Sequence, residues 1–63
     1  MSKIQEIEEF LIYRKKEYSK DINFYTERLE QDPTSRENEL YLQMAESGIL
    51  FVEEMGNKFF NWE

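Results

Sequence analysis

The chain has 63 residues, with 14 acidic against 8 basic side chains for a net charge of −6, and it contains no cysteine or histidine. A disulfide framework and a His or Cys zinc site are thereby excluded, and the negative charge repels nucleic acid and anionic lipid. A chain this short buries only about 60% of the surface that its unfolded form exposes, so oligomerisation or a protein partner is expected to supply the missing support.

The longest apolar runs are four residues, Phe10 to Tyr13 and Ile49 to Val52, far short of the roughly 20 needed to span a bilayer. The N-terminus has no apolar stretch of the signal-peptide kind. A cytoplasmic protein with no membrane contact is expected. Phe, Tyr, Met, Ile, Asn and Lys supply 26 residues, against 7 from Gly, Ala, Arg and Pro. Such usage is expected of an AT-rich gene, as in low-GC bacteria and their phages.

Residues 2 to 31 contain neither Gly nor Pro. Ile4, Ile7, Leu11, Tyr18, Ile22, Tyr25 and Leu29 fall within roughly 60° of one line at about 100° per residue, which predicts an amphipathic helix over about 2–31. Ser2 followed by Gln5 has capping-box spacing, and Glu6, Glu8 and Glu9 place negative charge where the helix dipole favours it. Arg14, Lys15 and Lys16 interrupt the apolar stripe. Their stems are expected to cover it while the charges reach water, or to pair with acids on a neighbouring helix.

Pro33 disfavours helical geometry in the residue before it, which predicts a turn at 32–34. Thr34 and Glu37 have capping-box spacing for a second helix over about 35–55. There Tyr41, Met44, Ala45, Gly48, Val52, Met55 and Phe59 fall within roughly 40° of one line. Gly56 and Asn57 predict its end, leaving an aromatic segment at 57–63. The turn is short enough to make the two helices antiparallel. Centred on Pro33, this register sets Tyr25 against Tyr41, Tyr18 against Gly48 and Leu11 against Met55. It also sets Ile7 against Phe59, Ile4 against Trp62, and Lys15 within reach of Glu53 or Glu54. The fold expected is one all-α domain over 1–63, an antiparallel helical hairpin of two long helices.

The apolar arc of the second helix spans roughly 200°, with Leu40 and Phe51 on one side of its stripe and Leu42, Ile49 and Phe60 on the other. Phe10, Tyr13 and Phe24 lie off the stripe of the first helix, and Leu50 lies opposite that of the second. Together with Trp62 these predict an interface. The hairpin is expected to pair as a homodimer or higher homo-oligomer, most simply a four-helix bundle, or to take another protein.

Catalysis is not expected. Without His or Cys, and with Ser2, Ser19, Ser35 and Ser47 in no nucleophile motif, the chain has no recognisable catalytic, cofactor or metal site. The function expected is that of a small non-enzymatic adaptor, regulator or inhibitor acting through helix-face contacts. The alternative is an acidic nucleic-acid mimic built on Glu37, Glu39, Glu46, Glu53 and Glu54, because residues 34–63 carry 6 acids against 2 bases.

Overall fold

The computed structural model describes residues 2–62 and consists of two helices, α1 (Lys3–Gln31) and α2 (Arg36–Phe60), packed against each other as a hairpin. At about 1.5 Å per residue, the 29 residues of α1 set the 45 Å length of the molecule. The radius of gyration is 14.1 Å, whereas a compact domain of this length has about 11 Å. The hairpin is therefore a rod with a thin interior.

Ser2 caps α1 as its spacing predicts, its hydroxyl accepting from the Gln5 amide at 3.2 Å. The helix ends at Asp32, whose amide donates to the Arg28 carbonyl at 2.9 Å. The cap of α2 differs from the expected one. Ser35, not Thr34, accepts from a backbone amide, that of Asn38 at 3.2 Å, while Thr34 donates its hydroxyl to the Asp32 carboxylate at 2.8 Å. Thr34 is drawn into the turn because an Asp two residues earlier offers its hydroxyl a closer partner. Ser35→Ala should therefore lower the stability by about 1 kcal/mol, and Thr34→Ala by less, as read from urea midpoints.

The helices run in the expected register. The Tyr25 and Tyr41 rings lie 5.3 Å apart, and the Tyr18 ring occupies the space over Gly48, where an added Cβ would come within 2.5 Å of it. Arg14 secures that ring, stacking on it at 4.7 Å and donating to its hydroxyl at 2.9 Å. The hydrogen bond raises the already high pKa of the guanidinium.

Two expectations fail at the far end. α2 does not stop at Met55. Gly56 is helical, and the helix continues to Phe60 before Asn61 turns left-handed at φ 52°. The aromatic segment expected at 57–63 is thus mostly the last turn of α2; Glu63 lies outside the described residues. Asn can occupy this conformation because its short polar side chain tolerates it, so the stop signal is Asn61 and not the Gly56-Asn57 pair. Trp62 then folds back onto Gly56 instead of meeting Ile4. Its indole N–H donates to the Glu8 carboxylate at 2.8 Å, and the Lys15 ammonium stands 5.8 Å from the indole ring centre. Lys15 accordingly turns to this ring, where a cation–aromatic contact is available.

A third correction concerns which side of α2 meets α1. The buried residues of α2 are Ala45, Val52 and Gly56, and Leu42, Ile49 and Phe60 are half-buried. Tyr41, Met44 and Phe59, all expected inside, are 42%, 67% and 59% exposed. At about 100° per residue the contact face is turned by roughly 60° from the expected stripe. Its centre is a seam of small side chains, Ala45, Gly48, Val52 and Gly56. Small residues let two helix backbones approach, so the seam faces α1 and the bulky side chains move to the flanks.

Candidate functional site

The turned contact face leaves one broad side of the hairpin open, apolar at its free end and interspersed with charged side chains, Lys3, Glu6, Arg14 and Asp21, along the rest. At its free end, Ile4 and Ile7 of α1 and Met55, Phe59 and Phe60 of α2 line a groove of about 360 Å³. A shallower depression continues from Ile7 to Phe10. Nearer the turn, Tyr25, Tyr41, Met44 and Ala45 line a second concavity that also holds Arg14, Tyr18 and Asp21. Beyond Met44, a further hollow reaches Leu40, Gln43 and Ser47. Ile4 and Ile7 are 68% and 52% exposed, although periodicity predicts both for the interior. They stand open because the chain past Phe60 curls to Gly56 and covers the other side.

The sequence-predicted interface residues fall into three groups. Leu40 and Phe51 share the open side with Met44, and Phe10 borders it through Ile7. Tyr13 and Phe24 are exposed on the outer side of α1, and Leu50 is exposed on the outer side of α2. The Phe24 ring is met edge-on by Tyr25 at 5.0 Å and stacked by Arg28 at 5.5 Å. Leu42, Ile49 and Trp62 lie half-buried on the opposite side; Phe60, also half-buried, reaches both sides, lining the groove with Ile4 and Ile7 and stacking on the Trp62 ring at 6.4 Å. Trp62 is bound within its own chain.

Periodicity misses Ile4, Ile7, Tyr41, Met44 and Phe59 as surface residues, since it assigns every bulky member of a stripe to the interior. On α2 the signal is the run of small residues: Ala45, Gly48 and Val52 lie within the predicted stripe, and Gly56 extends their line toward Leu42 and Ile49.

The five acids proposed as an acidic surface do not share a side. Glu39, Glu46 and Glu53 recur every seven residues on one line of α2, whereas Glu37 points about 180° and Glu54 about 80° away from it. Glu37 accepts a hydrogen bond from the Tyr41 hydroxyl at 3.3 Å. Among the described residues, no three Asp or Glu come together as a metal site, and no helix is long and apolar enough to cross a membrane. Compared with protein-family models, curated proteins and solved structures, the chain matches none.

Proposed function

We propose that the protein is a small non-enzymatic interaction module, a homo-oligomeric adaptor or regulator whose hairpin completes its core against another polypeptide through helix-face contacts. One observation carries this reading. Among the described residues only Leu11, Ala45 and Val52 form a buried apolar core, while twelve large hydrophobic side chains are exposed. At about 25 cal/mol per Å² of apolar area removed from water, covering the open side is the largest stabilisation left to the chain. Ile4, Ile7, Phe10, Leu40, Tyr41, Met44, Phe51 and Phe59 of this set lie on or border the open side, and such a grouping marks a binding surface more often than single exposed side chains do.

The acidic-mimic reading has less to rest on, since three acids on one line do not trace a phosphate backbone. Salt separates the two. Association through apolar contacts should hold between low and high ionic strength, whereas capture of a basic partner by mimicry should weaken steeply.

Thermal melting tests the proposal. If the folded hairpin is stabilised by association, its melting temperature should rise with protein concentration. A melting temperature that does not change with concentration would oppose it.

A further inference from the structure

We infer that the open side is filled by a second copy of the same chain, and that the pair is organised by α2 running antiparallel to itself about a two-fold axis level with Ser47 and Gly48. This rests on the association proposed above and adds its geometry.

Leu40, Met44, Phe51 and Met55 lie within about 30° of one line on the open side, and the first three are 55%, 67% and 61% exposed. Counted from the midpoint between Ser47 and Gly48, Met44 and Phe51 stand at equal distances, and so do Leu40 and Met55. A two-fold axis at that midpoint sets Met44 against Phe51 and Leu40 against Met55 of the second copy. Apolar side chains thus meet apolar side chains on both sides of the axis, where the small Ser47 faces its own copy.

The charges follow the same symmetry. Glu37 and Lys58 flank the stripe and are also equidistant from the midpoint, so each acid meets a base. A parallel pairing would instead bring Glu37 to Glu37 and Lys58 to Lys58. Like charges set directly opposite disfavour that arrangement. The other helix agrees independently. Tyr18 packs on Gly48 and therefore marks the level of the axis on α1. Arg14 and Asp21, which line one concavity with Met44, stand four residues before and three after it. At about 1.5 Å per residue, the same axis carries Arg14 to within roughly 3 Å of the level of Asp21 of the second copy. Opposite charges again meet.

The area suits one partner of this size. The chain exposes 5220 Å², whereas a compact monomer of 7.8 kDa exposes about 4,400 Å². The excess of about 800 Å² accompanies the rod shape, and it is of the same order as the area that one partner contributes to an interface of standard size. An antiparallel pair also brings Leu40 of the second copy over Met55 and the groove that it lines with Ile4 and Ile7. The product is an antiparallel four-helix bundle with closed two-fold symmetry.

Cross-linking tests the register directly, because the chain has no cysteine of its own. Three full-length variants are treated with a short bismaleimide and run on a denaturing gel: Ser47→Cys, Leu40→Cys, and Leu40→Cys combined with Met55→Cys. Light scattering is measured on each before treatment. Ser47→Cys should link to itself and the double variant should link between chains. Leu40→Cys alone should stay unlinked, its two copies being 15 residues out of register, or about 22 Å apart. Efficient self-linking of Leu40→Cys would mean parallel pairing and overturn the inference. So would a dimer by light scattering in which Ser47→Cys and the double variant remain unlinked, although association itself would then stand. A monomer by light scattering in all three variants and in the wild type would overturn the association as well.

Discussion

Leu11→Ala should leave the hairpin largely unfolded at room temperature, with loss of most of its helical circular-dichroism signal. Leu11 is the one buried residue of α1, and on α2 only Ala45, Val52 and Gly56 are buried. None of the other three is bulky enough to expand into the space. Removing a buried leucine costs about 2–5 kcal/mol, through lost transfer free energy and the cavity left behind. A domain of about 60 residues has little more than that in total. Even at the low end of the range, the melting temperature should fall by about 10 °C or more. Tyr41→Ala and Phe59→Ala make the informative contrast. Both rings are more than two-fifths exposed, so in the separated hairpin each truncation should cost much less than Leu11→Ala.

That contrast marks where the sequence is legible. The register is legible because Tyr18 and Gly48 form a large-against-small pair across a turn whose place Pro33 fixes. The start of α1 is equally readable, since Ser2 has a free amide three residues on and no competing partner. The face of α2 is not, because hydrophobic periodicity weights bulk while contact between two helices selects smallness. Ala45, Gly48 and Val52 belong to the predicted stripe but weigh little beside Tyr41, Met44 and Phe59, and together with Gly56, which lies outside it, they occupy the centre of the contact. The end of α2 is misread for a related reason. Gly56 signals a stop by propensity, but here its missing side chain makes room for Trp62, and the left-handed turn falls on Asn61. No short-range rule distinguishes a glycine that ends a helix from one that receives an aromatic ring. The candidate interface shows the same division. Leu40 and Phe51 are found by their place outside the arc that one helix can cover, whereas Met44 is hidden inside a stripe of α2 that the fold turns to the surface, and Ile4 and Ile7 continue the inward stripe of α1 past the point where α2 covers it.

Gly48→Leu should destabilise the protein even though it improves helix propensity. Leucine in place of glycine favours a helix by nearly 1 kcal/mol at an exposed site. At this site the new Cβ would lie 2.5, 2.6 and 2.8 Å from three atoms of the Tyr18 ring. The ring cannot retreat freely, because the Arg14 guanidinium both covers it and bonds its hydroxyl. Overpacking of this kind costs about 1–3 kcal/mol, so the net change should be a loss. Its sign, read from urea denaturation, decides between the packed position and a solvent-facing one. A double-mutant cycle strengthens the test. Tyr18→Ala opens the space that leucine needs, so combining it with Gly48→Leu should cost less than the two single losses added together. Gly56→Ala should be destabilising as well, because the new Cβ would overlap the Trp62 ring, which the Glu8 carboxylate, the Gly56 carbonyl and the Phe60 ring hold in place.

The central claim is that one hairpin is half of a bundle. Sedimentation equilibrium of the full chain, from millimolar to micromolar concentration and with helicity followed in parallel, tests it most directly. A species of twice the 7.8 kDa chain mass is expected at the high end, with helicity falling as dilution separates the pair. A fully helical, cooperatively melting particle of 7.8 kDa across the whole range would contradict it.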